Sequence, residues 1–271
     1  MNYRTLLITA VKKENPYLNE FIEHYRSLNI SHILIVDNND EEDENVYDVI
    51  DRNDSFVEVI NYRGREFDHK QILTNMYLSY YSNYDFILLF DCDEYLVLNE
   101  KYNNDINNYL SEEWFQENDC IVINWVNYDS NKLCYYEDKP LKERFTHIVL
   151  QKNNQFKSII NCNRVQDNFQ LDITHCLLID NEHQYKICGN NGCQNHLIIN
   201  YDNARLNHYI VKSTQEFVER KLSKNNENGY SPNGGIYDYL AFHDYMLTQE
   251  QVDYLISLNI VEPDINLKII K

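Results

Sequence analysis

Asp85-Phe86-Ile87-Leu88-Leu89-Phe90-Asp91-Cys92-Asp93-Glu94-Tyr95-Leu96 is the stretch on which the reading of this chain turns. The apolar run from Phe86 to Phe90 is too short for a helix and suits a strand buried on both faces. Asp91, Asp93 and Glu94 follow it directly. Carboxylates at the end of a buried strand are costly unless water or a cation meets them. In an extended segment, residues i and i+2 share a side. That expectation brings Asp91 and Asp93 together and turns Cys92 back to the core. Oxygen ligands so spaced suit Mn2+ or Mg2+ shared with diphosphate oxygens. A bare D-x-D also occurs in solvated acidic turns, so its weight comes from what surrounds it.

Upstream, strands and helices alternate. Leu6 to Ala10 predicts a buried strand. Asn15-Pro16 reads as an N-cap followed by proline at the first helical position, and Leu18, Phe21, Ile22, Tyr25 and Leu28 recur at helical spacing. His32 to Val36 and Phe56 to Ile60 read as further strands, Asp43 to Asp51 and Gln71 to Tyr81 as helices. Such alternation implies a mostly parallel sheet with right-handed crossovers. Ligands bind such sheets beyond the carboxyl ends of the strands. Three polar clusters fall there: Thr9 to Glu14, Asp37 to Asn39 and Asp91 to Glu94. The second half is less regular. Cys120 to Trp125 and Phe145 to Leu150 read as strands, and Thr214 to Leu222 and Gln249 to Leu258 as helices. Tyr128 to Lys139 reads as a loop, as does the glycine-bearing stretch Asn225 to Gly235. No internal repeat or clean domain boundary is visible, so a single domain over 1–271 is expected.

The 271 residues include 24 basic and 43 acidic ones, a formal charge of −19. This argues against nucleic acid as a partner and against generic attraction to an anionic bilayer. An anionic ligand would need a local counter-charge, which a carboxylate-held cation supplies. Seven scattered cysteines with no secretory signal ahead of them suggest reduced thiols in a reducing compartment. No apolar run approaches the roughly 18 residues of a membrane span. A soluble, cytoplasmic protein is expected, with peripheral association at the inner face of a membrane left open.

Asp91-Cys92-Asp93-Glu94-Tyr95-Leu96 resembles the D-x-D-E-[FY]-[LI] motif of GT-A-fold glycosyltransferases, most closely the family-2-like and family-92-like (DUF23-type) branch. That branch opens with K-x-E-x-x-[YL]-[LI]-x-E-[WF]-[IL]-x-[HY]-[HY], matched by Lys12 to Tyr25. A strand ending D-N is matched at Val36-Asp37-Asn38, and N-H-Y-x-x-K-S-x-x-E-F at Asn207 to Phe217. The resemblance implies a Rossmann-like α/β sheet with flanking helices and an irregular C-terminal region for the acceptor and the metal site. Residues 1–100 would bind the nucleotide-sugar and 101–271 the acceptor. Thr9, Lys12, Glu14 and Asp37 would face the nucleotide, usually uridine. Arg63 and Arg65 could reach base or phosphates, or could equally be solvated surface arginines; His69 and Gln71 would line the same cleft. Asp93 would be the main metal ligand, with Asp91 at the ribose or a metal-bound water and His208 as a third ligand. Lys212 would neutralise the departing diphosphate.

An inverting transfer needs a carboxylate at the acceptor hydroxyl. Glu143, in Glu143-Arg144-Phe145, and Asp129 are the candidates; Glu143 is preferred, and both have structural alternatives. Trp125 and Tyr128 could stack on a sugar or sit in the core. The resemblance further implies a saccharide or lipid-linked saccharide acceptor in surface polysaccharide or lipopolysaccharide synthesis. His183, Cys188, Cys193 and His196 have zinc-ligand residue types at a spacing that matches no familiar ribbon, and a glycine-turned loop is the preferred reading. His175 and Cys176 pose the same question. A nucleotidyltransferase should carry a glycine-rich phosphate loop after the first strand, and Thr9 to Pro16 contains no glycine. A catalytically inactive carbohydrate-binding or scaffold protein of the same fold is the other alternative.

Overall fold

The computed structural model describes residues 2–66, 68–149, 155–167, 171–173, 176–177, 185–193, 195, 197–223, 235–262 and 267–270. The chain forms two compact units, Met1–Val126 with Lys152–Asn207, and Asn127–Gln151 with His208–Lys271. The first is α/β. Its strands are β1 (Thr5–Val11), β2 (His32–Asp37), β3 (Val57–Asn61), β4 (Phe86–Leu89), β5 (Glu94–Leu98), β6 (Cys120–Asn127), β7 (Phe156–Asn161), β8 (Leu171–Ile173), β9 (Cys176–Leu177), β10 (Ile187–Gly189) and β11 (Ala204–His208).

The main sheet runs β3-β2-β1-β4-β7-β6-β11-β5, with β10 on β6. β3, β2, β1 and β4 are parallel neighbours, and β7 is antiparallel to both β4 and β6. The chain leaves β1 toward β2 and β3 and returns to β4 on the other side. The switch point of this sheet therefore lies between the carboxyl ends of β1 and β4, where crevices for ligands form.

Two helices cover the parallel half. Helix α1 (Asn15–Ser27) buries Tyr17, Leu18, Phe21, Ile22 and Tyr25. Each such aromatic or aliphatic side chain contributes about 1.5–3 kcal/mol. The N-cap is Glu14, not Asn15 as expected. Asn15 enters the helix because its side-chain amide donates to Asn45 O (2.8 Å) and its N–H to the Glu44 carboxylate (2.9 Å). The basic residues His24 and Arg26 lie in its last turn, as suits a helix C-terminus, and Asn29 takes φ 60° just beyond. Helix α2 (His69–Tyr80) is capped by the Asp68 side chain and packs Leu73 and Tyr77 on the face carrying Leu6, Ile8, Leu34, Ile87, Leu89, Val122 and Ile160.

The expected helix Asp43–Asp51 shrinks to a 3-10 turn, Val46–Asp48. Arg63 explains this: its guanidinium donates to the carbonyls of Glu41 (2.9 Å), Asp43 (2.9 Å) and Glu44 (2.6 Å), acceptors that a helix would use itself.

The second unit buries Val211, Phe217, Tyr239, Leu240, Leu247, Val252, Leu255 and Val261. The helix expected from Thr214 is present, turning from α-helical (Thr214–Glu216) to π-helical (Phe217–Leu222). Gln249–Ser257 is helical as expected, Ile236–Phe242 is a further helix, and β12 (Met246–Thr248) pairs in parallel with β13 (Lys268–Ile270). Over the described residues 145–149 the strand expected at Phe145–Leu150 is absent; an antiparallel bridge, Tyr128 to Ile148, stands in its place. The preceding residues wind into a short helix, Leu141–Arg144, because Arg144 is drawn inward to Glu216 (2.8 Å), both nearly solvent-free.

Candidate functional site

The carboxylates after β4 do not lie on an extended segment. Glu94 N–H donates to Asp91 O (3.0 Å), closing a turn. The turn folds the Glu94 side chain back so that its Oε2 accepts from Asp91 N–H (2.8 Å). Glu94 thus joins the cluster, and Cys92 is buried as expected. Tyr25 of α1 fixes the segment: its hydroxyl donates to Glu94 O (2.7 Å) and accepts from Leu96 N–H (3.1 Å).

The residue that sequence reasoning missed is Lys157 on β7. Its side chain is 1 % exposed; Nζ donates to Asp91 Oδ2 at 2.7 Å and lies 3.7 Å from Glu94 Oε1. A lysine beside the apolar residues Phe156, Ile159 and Ile160 was the available signal, since lysine is almost never fully buried unless paired. Burial alone would lower its pKa, but Asp91 and Glu94 more than reverse that and raise it. Burial pushes Asp91 up, and the Lys157 ammonium overrides this and holds the carboxyl below its usual range. Burial raises Glu94 well above the carboxylate range, against the pull of Lys157.

The cluster fits a divalent cation on two grounds. Glu94 Oε1 is buried and accepts no hydrogen bond among the described residues. Asp91, Asp93 and Glu94 supply carboxylate oxygens, the donors that hard divalent cations take, and a cation there would favour the ionised form of Glu94 that burial disfavours.

The other expected nucleotide-facing residues lie around the same strand ends. Thr9, in β1, is 1 % exposed, and its hydroxyl forms no hydrogen bond among the described residues. Lys12 pairs with Asp40 (2.9 Å), and Glu14 stands at the N-cap position of α1 without a side-chain capping bond. Asp37, at the end of β2, is buried; Oδ1 accepts from Asn39 N–H (3.1 Å) and Nδ2 (2.8 Å), and Arg63 stands 3.5 Å from Oδ2. Arg63 is therefore committed to the loop over Asp37, whereas Arg65 is exposed above the Tyr62 ring. His69 opens α2 within electrostatic reach of Asp91, and burial lowers its pKa. Gln71 is exposed on α2. Trp125 is buried.

In the second unit, His208 Nδ1 meets Asn127 Oδ1 at 3.0 Å. The amide oxygen accepts a hydrogen bond from Nδ1–H, which makes Nε2 the basic atom of a neutral ring, the form that binds metals. Lys212 is buried and holds a left-handed φ of 55°. Tyr128 is buried against Tyr209, ring centroids 4.9 Å apart. Glu143 is exposed on its short helix, while Asp129 faces His147. In the cysteine–histidine segment, Cys188 is buried in β10 and Cys193 half-buried; His175, His183 and His196 lie outside the described residues, as do the Cys176 side chain and most of Asn225–Gly235.

No protein-family model and no curated protein matches this chain. Similar solved structures include three of TarS from S. aureus. The crystal structure of TarS 1–349 has a TM-score of 0.41 and 12 % identity, and covers 79 % of this chain and 61 % of that one. TarS 1–349 in complex with UDP-GlcNAc has a TM-score of 0.42, 11 % identity and coverages of 69 % and 58 %. A further TarS crystal structure has a TM-score of 0.44, 11 % identity and coverages of 83 % and 41 %. This chain spans less than two thirds of the length of each.

Proposed function

We propose that this chain is a metal-dependent, inverting glycosyltransferase of GT-A type. It moves a sugar from a nucleotide-sugar, UDP-hexose or UDP-N-acetylhexosamine, to a saccharide or lipid-linked saccharide. The observation that carries the reading is the turn after β4. There Asp91, Asp93 and Glu94 gather around buried Lys157 at the switch point of a parallel sheet, and Glu94 presents a buried oxygen that accepts no hydrogen bond among the described residues.

In this reading Asp93 and Glu94 hold Mn2+ or Mg2+, with His208 as the third ligand. The cation supplies charge stabilisation of the leaving diphosphate. Asp91, oriented by Lys157, serves the ribose side. Thr9 and Asp37 meet the nucleoside, with Lys12, Glu14, Arg63, Arg65 and Gln71 around them, and Lys212 adds positive charge for the leaving group. Residues 1–100 serve the donor and 101–271 the acceptor. Asp129 is the carboxylate we assign to the acceptor side; Glu143 sits on a helix whose buried Arg144–Glu216 pair has a structural role. The same reading places the protein in the cytoplasm or at the inner face of a membrane, in surface polysaccharide or lipopolysaccharide synthesis.

The test is turnover of UDP-, GDP-, CMP- and dTDP-sugars with Mn2+, Mg2+ or EDTA, for the wild type and Asp93→Ala. Metal-dependent consumption of one donor, lost in Asp93→Ala, supports the reading. Failure of every donor to bind with metal present overturns it in favour of an inactive scaffold.

A further inference from the structure

The second unit contains a cavity of about 440 Å3, within the roughly 300–1,000 Å3 typical of small-molecule sites. Its rim is built by the backbone. Val149 N–H donates to Asn127 O (2.9 Å) and Asp129 N–H to His147 O (3.1 Å), on either side of the Tyr128–Ile148 bridge. This short antiparallel ladder sets Asp129 directly opposite His147, where cross-strand side chains meet. Asp129 Oδ2 pairs with His147 Nδ1, and Asp129 Oδ1 accepts from Asn131 N–H (2.8 Å). The carboxylate is thus held from two directions and fixes the imidazole tautomer. The proton sits on Nδ1, and Nε2 of a ring whose side chain is 70 % exposed becomes the basic atom.

Deeper in, Ser130 Oγ donates to His243 Nε2 (3.0 Å) and accepts from the Gln251 amide (3.2 Å), while His243 Nδ1 donates to Tyr239 O (2.8 Å). The remaining wall is apolar, from Ile148, Phe242, Met246 and Ile270. Polar edges facing an apolar wall match a sugar ring, which carries hydroxyls at its edge and C–H groups on its face. The charged side chains on the lining are Asp129, Asp244 and Lys132, with His147 and His243. They offer no excess of positive charge for a phosphate, which argues against an anionic ligand.

We propose that this cavity binds a neutral saccharide, its hydroxyls meeting the Asp129–His147 edge and its C–H face the apolar wall.

One titration on the full chain tests this. Methyl glycosides of glucose, galactose and N-acetylglucosamine are added while the histidine imidazole resonances are followed. A saturable shift of His147 and His243, absent in Ile148→Trp, which fills the cavity, is expected. No shift with any glycoside, or an undiminished shift in Ile148→Trp, overturns the site.

Discussion

Replacing Lys157 with methionine keeps the length of the side chain and removes its charge. The ammonium is 1 % exposed, donates to Asp91 at 2.7 Å and faces Glu94, itself fully buried, at 3.7 Å. Breaking a buried pair from one side leaves the remaining charge uncompensated, which costs about 3–5 kcal/mol. With a urea dependence of roughly 1–3 kcal/mol per molar, the unfolding midpoint should fall by about 1–5 M. The loss should be specific to charge. Asp91→Leu in the Lys157→Met background should cost less than in the wild type, a coupling of about 0.5–3 kcal/mol in the double-mutant cycle. Divalent cation should also substitute for the missing ammonium: Mn2+ at 100 times its Kd stabilises by about 2.7 kcal/mol. Urea unfolding of the four proteins, with Mn2+ and with EDTA, measures all three quantities. A Lys157→Met variant within 1 kcal/mol of the wild type, or an additive cycle, would refute the reasoning, because the carboxylates would then need no counter-charge.

Three other outcomes are expected. Arg144→Leu breaks the buried pair with Glu216 and should destabilise the second unit by about 3–5 kcal/mol, while Arg144→Leu/Glu216→Leu should recover much of this; urea unfolding followed by tyrosine fluorescence reports both. Burial lowers the His243 pKa below its ordinary 6.5, against the smaller effects of Tyr239 O, Asp129 and Asp244. The folded state then binds fewer protons than the unfolded one. The contribution of His243 is present above pH 6.5, is lost as pH falls through the folded pKa, and should vanish from the pH dependence of Tm in His243→Asn. Burial holds Cys134 at about 11 and Cys162 and Cys188 at about 12, so in native protein iodoacetamide should reach half-buried Cys193 first and these three only on unfolding, as peptide mass mapping would show.

The parallel half of the sheet was legible because its signals are local. Apolar runs at Leu6, His32, Phe56 and Asp85 became β1 to β4 within a residue or two at each end, and the helical spacing after Asn15 became α1. What escaped depends on partners far away in sequence. β7 hid because Lys157 interrupts its apolar pattern, and the charge that makes Lys157 tolerable lies 66 residues upstream at Asp91. The Asp43–Asp51 helix failed because Arg63, about 20 residues on, takes its carbonyls. In the site itself, Asp91 and Asp93 were readable from spacing, but the turn that brings Glu94 into their cluster follows from hydrogen bonds that no periodicity encodes. Likewise the Asp129–His147 pair depends on a two-bond ladder between segments 18 residues apart.

The most direct test of the central claim is calorimetric titration of Mn2+ into the wild type and Asp93→Ala, each with and without UDP. The expected result is saturable binding of one Mn2+ that tightens with UDP and is lost in Asp93→Ala. Wild-type protein that takes up no Mn2+ in the presence of UDP, or Asp93→Ala that binds it equally well, would contradict the assignment of this turn as the metal and nucleotide-sugar site.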